Sequence, residues 1–258
     1  MALLLSAVEA GAKVARNFYY RGAHFWHKPD NKGPVTEADL AVDALLKERL
    51  RGARPDYGWL SEETADDVLR LRAERTWIID PIDGTRAFIC QRPQWTVCAA
   101  LIEHGQPVAG VVANPITEEV FSAMAGSGAQ SNGKAIQVSR CSSLEGARLM
   151  GSSEFYAHAS WGEPWPATLI LDNPNSIAYR LCLVASGARD ASLRVFSCHE
   201  WDVAAADVIV REAGGLLTGL EGKELVYNKP NPLVRGYIAA GRGLYSELKR
   251  RVDLRART

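Results

Sequence analysis

Trp77-Ile78-Ile79-Asp80-Pro81-Ile82-Asp83-Gly84-Thr85-Arg86-Ala87-Phe88 is the stretch whose reading decides the fold. Its first three residues form a short apolar run that reads as a buried strand, and the run ends in two aspartates. Pro81 fixes φ and lacks an amide hydrogen, so it closes the strand, while Gly84 permits a backbone conformation that a side chain would block. The turn is stiff and presents its two acids together. Amides around Gly84 and Thr85 can point outward from the start of a helical turn, where partial positive charge favours a phosphate. Acids for cations beside amides for an anion suggest metal-assisted phosphate chemistry. The competing reading of Asp-Pro-x-Asp-Gly is a solvated turn, since all these residue types favour turns.

Upstream, Leu4, Val8, Ala12, Ala15 and Phe18 recur at helical spacing and predict an amphipathic helix over the first twenty residues. Gly22 to Pro34 reads as a loop carrying His24, His27, Lys28 and Lys32, and its Lys28 to Pro34 part as a segment that substrate could close. The two histidines have no third ligand nearby and read as surface residues. Val35-Thr36-Glu37-Ala38-Asp39 opens a second helix with Val42, Leu45, Leu46 and Leu50 on its apolar stripe. Thr36 and Asp39 stand at capping-box spacing, which by itself accounts for Asp39. Gly58 to Glu63 is a short apolar element ending in paired acids, readable as a solvated helix start.

Downstream, Trp95 to Ile102 and Pro107 to Val112 predict a hairpin, and Glu119 to Met124 and Ala135 to Val138 continue it as a meander. The turn-rich Gly126 to Gly133 lacks phosphate-loop spacing and reads as a hairpin connection. Near residue 140 the pattern shifts to alternating helices and strands. Leu149 begins a strand, Glu154 to Pro166 is an aromatic-rich loop, Ile177 to Ala185 a helix and Ala191 to Phe196 a strand. Ser197-Cys198-His199-Glu200-Trp201-Asp202 leads into an apolar helical stripe of Val203, Ala206, Val210 and Ala213, closed by Gly214-Gly215. Ser197 and Glu200 stand at capping-box spacing, and Asp202 in the first turn is readable as a dipole-compensating acid. Two strands and a helix near Leu244 to Val252 follow, then a basic tail through Arg257 that reads as a fraying end.

Bulk properties set the frame. With 258 residues, of which 47% are apolar, the chain can bury a large core in one domain or two packed halves. Thirty basic and thirty acidic residues cancel, so charge supplies no reason to expect nucleic acid or an anionic membrane as partner. Five widely spaced cysteines without a Cys-x-x-Cys pair argue against a disulfide framework and for a cytoplasmic location with reduced thiols. Ala2 to Leu5 lacks the basic leader of a signal peptide, and no apolar run is long enough to span a bilayer.

Asp-Pro-Ile-Asp-Gly-Thr at 80 to 85 and Trp-Asp-Val-Ala-Ala-Ala at 201 to 206, followed by Glu-Ala-Gly-Gly at 212 to 215, resemble the two signatures of the inositol monophosphatase superfamily. Val-Thr-Glu-Ala-Asp at 35 to 39 and Ser-Glu-Glu at 61 to 63 resemble its upstream elements, so the likeness spans nearly the whole chain. The resemblance implies an α/β protein, a layered αβαβα sandwich of the inositol monophosphatase type whose first half is α+β. Residues 1 to 140 would carry helices, an antiparallel sheet and most metal ligands. Residues 141 to 258 would form an α/β half with a more parallel sheet, the site lying between the two.

By position, Glu62, Asp80, Asp83 and Asp202 match side-chain metal ligands, with Ile82 offering its carbonyl. Gly84 and Thr85 match the phosphate-binding turn, and Asp39, Thr85 and Glu62 match catalytic positions. Like charges about 4 Å apart repel by roughly 4 kcal/mol at an intermediate effective dielectric, which divalent cations would offset. Oxygen-only ligands suit Mg²⁺, and the family uses two or three such ions and is commonly lithium-sensitive. The implied reaction is direct in-line displacement at phosphorus by an activated water, with no phosphoenzyme. The substrate would be a small phosphate ester, and a homodimer is compatible with the family.

The alcohol part is where branches diverge. Inositol-selective members commonly carry a glutamate seven residues before the second-motif aspartate, where this chain has Val195. His-Glu-Trp-Asp at 199 to 202 and the segment from Ser176 through Arg180 look more like the 3′(2′),5′-bisphosphate nucleotidase branch. There Arg180 could meet a second phosphate and Glu200 the substrate, although a lone helical arginine is more often exposed. Inositol phosphate, histidinol phosphate and fructose 1,6-bisphosphate are the alternative substrates. A regulatory or binding protein on a phosphatase-like scaffold is the alternative of another class.

Overall fold

The computed structural model describes residues 1–29 and 33–255. Asp30, Asn31 and Lys32 of the proposed closing segment and the end of the basic tail, Arg257 included, lie outside the described residues. Helix α1 (Ala2–Arg21) buries Leu4, Val8, Ala12 and Ala15, the face its spacing predicts. The segment read as a loop contains β1 (Phe25–His27), which pairs antiparallel with β2 (Pro34–Thr36). Three-residue strands with exposed side chains carry too little pattern to be recognised locally. Helix α2 (Glu37–Ala53) starts with the predicted capping box: the Thr36 hydroxyl accepts the Ala38 and Asp39 N–H groups, and Asp39 Oδ2 accepts the Thr36 N–H at 2.8 Å.

The first sheet runs in chain order: β3 (Gly58–Ser61), β4 (Arg75–Asp83), β5 (Thr96–Glu103), β6 (Gln106–Asn114), β7 (Glu119–Met124), β8 (Ala129–Ser131) and β9 (Lys134–Ala135). Strands β3 and β4 are parallel and the later neighbours antiparallel. The glycine-rich connection thus contains a strand of its own, β8. Past β9, Ile136 still donates to the Ala129 carbonyl of β8, whereas Val138 donates to the Ala213 carbonyl instead of continuing the ladder. Between β4 and β5 lies the short helix α3 (Thr85–Ile89).

The second sheet has the order β11–β10–β12–β16–β14, made from β10 (Arg148–Met150), β11 (Ile170–Asp172), β12 (Ala191–Arg194), β14 (Leu216–Thr218) and β16 (Tyr237–Ala240). Strand β10 runs parallel to β11 and β12, whereas β16 runs antiparallel to β12 and β14. A separate ribbon pairs β13 (Cys198–His199) with β15 (Leu233–Val234). Helix α4 (Ser153–Ala157) interrupts the aromatic segment read as loop, its start capped by the Ser152 hydroxyl. Helices α5 (Ile177–Ala185), α6 (Glu200–Glu212) and α7 (Arg242–Arg255) complete the chain.

Alternation along β4 assigns the layers. Trp77 and Ile79 pack with α1 and α2, whereas Ile78 faces a core shared with α5 and α6. Tyr237 and Ala239 of β16 face that same core, while Ile238 and Ala240 pack on Leu244, Leu248 and Val252 of α7. The molecule is an αβαβα sandwich with α5 and α6 as its central helical layer. Gly110 makes the close packing possible: a Cβ there would stand 2.3 Å from the Ala205 carbonyl oxygen of α6.

Candidate active site

The four β4 residues from Asp80 to Asp83 lie opposite only three of β5, since Asp80 pairs with Cys98 and Asp83 with Thr96. In a regular strand, residues three apart face opposite sides; this bulge brings both aspartates to the α5/α6 side. There they meet Asp202, on the first turn of α6. One carboxylate oxygen from each of Asp80, Asp83 and Asp202 lies within 4.8 Å of the others. Gly84 holds φ +98°, and a Cβ on it would stand 2.9 Å from the Gln94 carbonyl oxygen, so only glycine lets the chain turn directly into α3.

Each acid has a different set of supports. Asp83 Oδ2 accepts the Ser176 hydroxyl and the Ala178 N–H, both at 2.6 Å, which ties the start of α5 to the turn. Asp202 Oδ2 accepts the His199 N–H at 2.7 Å. Both oxygens of Asp80 are buried without a hydrogen-bond partner, in a residue 1% exposed. A buried carboxylate in that state is costly. Burial pushes Asp80 and Asp202 well above the ordinary carboxylate range, reinforced at Asp80 by Glu62 and Asp83 and at Asp202 by Asp83. Burial likewise raises Asp83, to about 6, against its hydrogen bonds. A divalent cation bound by oxygen relieves all three, so this donor set fits a hard metal ion.

Glu62 follows β3 and lines the same cavity, its N–H bonded to the Ile79 carbonyl. It is not a solvated helix start. Asp43 of α2 fixes the bend by accepting the Ser61 and Thr64 hydroxyls at 2.5 and 2.6 Å. The Glu62 carboxylate stands apart from the three-aspartate group and pairs with Lys28 Nζ at 2.8 Å, which also reaches Glu63 at 2.7 Å. Thr85 Oγ1 lies 3.1 Å from the Ile82 carbonyl oxygen and 3.5 Å from Asp39 Oδ1. Asp39 is fully buried, and burial raises it to about 6 against the Thr36 hydrogen bonds. It therefore reaches the cavity through Thr85.

A cavity of about 340 Å³ is lined by Glu62, Asp80, Ile82, Asp83, Gly84, Thr85 and Asp202 together with Arg86, Asn175, Arg180 and Arg194. Arg180 is half-buried on this wall rather than exposed on its helix. Glu200 is a correction. It is fully buried, accepts the Asn228 and Lys229 N–H groups, and holds that loop, so it does not line the cavity. The expected Ser197–Glu200 cap is likewise replaced, because the helix begins one residue after His199 and its N3 acid is Asp202. Four residues at the site belong to none of the metal or phosphate motifs: Lys28 as the partner of Glu62, Asp43, Ser176 as the donor to Asp83, and Arg194. Only Arg194 carries a local signal, a charge closing a short apolar strand.

Layers of this kind, with converging acids beside a helix-opening Gly-Thr, define a metal-dependent phosphoric monoester hydrolase. The profile of the inositol monophosphatase family matches residues 2–252, and the chain belongs to that family. It is 36% identical over 204 residues to a histidinol-phosphatase of Mycobacterium tuberculosis, covering 76% of this chain and 77% of the relative. It is 32% identical over 249 residues to the 3′(2′),5′-bisphosphate nucleotidase CysQ of Aggregatibacter actinomycetemcomitans, covering 91% and 89%. Among solved structures, the extragenic suppressor protein SuhB of Bartonella henselae superimposes with a TM-score of 0.84 at 28% identity, over 98% of this chain and 97% of that one.

Proposed function

We propose that the protein hydrolyses a small soluble phosphate monoester with Mg²⁺ held by Asp80, Asp83, Asp202 and Glu62 and by the Ile82 carbonyl. The observation that carries this reading is Asp80, a buried carboxylate whose oxygens lack any protein partner beside two further acids. Bound there, Mg²⁺ supplies Lewis-acid stabilisation of charge and a nucleophilic water at neutral pH. The chain does the positioning. First-turn amides at Gly84 and Thr85 take the phosphate oxygens. Thr85 donates its hydroxyl proton toward the Ile82 carbonyl or Asp39, leaving its oxygen to accept from the attacking water and hold it in line. Glu62 lines the same cavity, and its carboxylate, paired with Lys28, would be a further oxygen donor to the ion.

The finer reading is a 3′(2′),5′-bisphosphate nucleotide. Arg180 on the cavity wall and Val195 at the place of the inositol-contacting glutamate support it, as does the CysQ likeness; the histidinol-phosphatase likeness supports the runner-up. The test is phosphate release with Mg²⁺, with and without chelator, across adenosine 3′,5′-bisphosphate, inositol 1-phosphate, fructose 1,6-bisphosphate and histidinol phosphate. Chelator-sensitive turnover led by the first compound is the expected result. Folded, Mg²⁺-binding protein inactive on all of them would refute the reading and favour a binding module.

A further inference from the structure

Taking from the hydrolase reading that Glu62 and the three aspartates hold Mg²⁺, we infer that Arg70 and Glu200 are positioning residues of that centre. Through one turn, Asn228–Lys229, they set the spacing between Glu62 and Asp202. Neither side chain lines the cavity, yet both residues are buried, Arg70 at 3% and Glu200 at 0% exposed. Buried charges are costly unless they are fully hydrogen-bonded, and these two direct their bonds to the same turn. Glu200 Oε2 accepts the Asn228 N–H at 2.7 Å and Oε1 the Lys229 N–H at 3.2 Å. Arg70 Nη1 donates to Asn228 Oδ1 at 2.6 Å and Nη2 to the Lys229 carbonyl at 2.9 Å. Asn228 Nδ2 donates back to the Arg70 carbonyl at 3.3 Å. Asp66 completes the clamp by accepting Arg70 Nε and Nη2 at 2.6 and 2.9 Å.

Each end of this clamp is a short step from a metal-binding acid. On the Arg70 side, Asp66 follows Glu62 by four residues. Arg70 also packs against the start of β3, where a Cβ on Gly58 would stand 3.0 Å from its own Cβ, and β3 runs directly into Glu62. On the Glu200 side, Asp202 lies two residues further along the first turn of α6. The Glu200 N–H donates to the Pro232 carbonyl at 2.9 Å and Lys229 Nζ to the Leu233 carbonyl at 2.6 Å, so the same segment holds the backbone that enters α6. The crossing at Gly110 is made by Ala205 and Val208 and fixes the middle of the helix, while the clamp fixes its first turn. Within the site, Glu62 stands apart from the three-aspartate group, so the gap between them decides which ion they can share. Mg²⁺ demands near-ideal octahedral geometry with oxygens at about 2.0–2.1 Å, whereas Ca²⁺ accepts irregular arrangements at about 2.3–2.6 Å. Loosening the spacing therefore costs Mg²⁺ more than Ca²⁺.

The test is calorimetric titration of chelator-stripped protein with Mg²⁺ and, separately, with Ca²⁺, each variant first shown to melt cooperatively. Arg70→Gln and Glu200→Gln are each expected to weaken Mg²⁺ binding by about tenfold or more, as loss of a partner outside the ligand set does, and Ca²⁺ binding by about threefold at most. Arg70→Lys keeps the charge without the fork and is expected to recover part of the loss. Because both residues hold one turn, the double variant is expected to bind Mg²⁺ no more weakly than the weaker single variant. Mg²⁺ affinity within about twofold of wild type in both single variants, equal losses for Mg²⁺ and Ca²⁺, or losses that add in the double variant each overturn the inference. If the glutamine variants do not fold, Asn228→Gly carries the same comparison, since glycine keeps the left-handed backbone there (φ +59°) and removes only the side chain that Arg70 holds. Turnover separates the two readings. Wild type that binds Mg²⁺ but releases no phosphate refutes the hydrolase reading and leaves the titrations to decide the inference. Wild-type turnover with Mg²⁺ affinity unmoved in the variants overturns the inference alone, and wild type that takes up no Mg²⁺ overturns both.

Discussion

Asp80 is the residue on which the site turns. Its two buried oxygens have no hydrogen-bond donor, and Glu62, Asp83 and Asp202 all raise its pKa. Replacing it by the isosteric amide removes one of the repelling charges. In chelator, Asp80→Asn is therefore expected to melt higher than wild type, by about 2–4 °C for each kcal/mol of repulsion relieved. Its Mg²⁺-dependent phosphate release is expected to fall by about a thousandfold. A metal-free variant that melts lower than wild type would mean that Asp80 is satisfied by some contact of the protein itself. At Asp202→Asn the loss of turnover is the same, but the gain in melting temperature is smaller, because the His199 N–H loses a charged acceptor.

At the scale of elements, two joints place these acids. Helix α2 is capped through Thr36 and Asp39, and the same Asp39 faces Thr85 across the turn. Thr36→Ala is expected to cost about 1 kcal/mol in urea denaturation, the ordinary worth of an N-cap. It also frees Asp39 from its hydroxyl donor, so turnover should fall more than stability alone accounts for. The second joint is the crossing of α6 over β6 at Gly110. A methyl group there meets the Ala205 carbonyl oxygen and a Val208 methyl inside van der Waals distance. Gly110→Ala is expected to cost about 1–3 kcal/mol or more by overpacking and to shift Asp202, which α6 carries. A variant of wild-type stability would show that α6 slides freely on the sheet.

On the whole-molecule scale, the carboxylates couple stability to pH and to metal. Asp83 is raised by burial to about 6, from an ordinary value near 3.8, and Asp80 and Asp202 shift the same way. An acid whose folded pKa is raised holds its proton in the folded state where the unfolded chain has lost it. Stability is then greatest below the unfolded value and falls as pH rises toward and through the folded one. The chelated protein is expected to melt lower at pH 7.5 than at pH 5.5 on this account. Mg²⁺ should raise the melting temperature strongly at pH 7.5 and weakly at pH 5.5, where protons compete for the same oxygens. Equal Mg²⁺ shifts at the two pH values would place the ion elsewhere. Because Asp80 and Asp83 come from β4 and Asp202 from α6, the ion would join the first sheet to the central helical layer.

The sequence alone determined the signals that are local. Helical spacing marked α1, α2 and α5, alternation marked the long strands of the first sheet, and Thr36 with Asp39 marked a cap, since each depends on backbone geometry within a few residues. Four ordered motifs also named the family and the positions of Asp80, Asp83, Gly84, Thr85 and Asp202. What no spacing could supply was convergence. The bulge that turns Asp80 and Asp83 to one side, the Ser176 hydroxyl on Asp83, and Lys28 on Glu62 join residues far apart in the chain, and sheet pairing and helix packing decide them. Glu200 and Arg194 make the same point in opposite directions. Glu200 stands two residues from Asp202 on one helix, yet the helix turn sends it inward to a loop, while Arg194 at a strand end is carried to the cavity wall. The direction in which a side chain points is a property of the packed elements, and so the identity of the acids was legible in the chain while the company they keep was not.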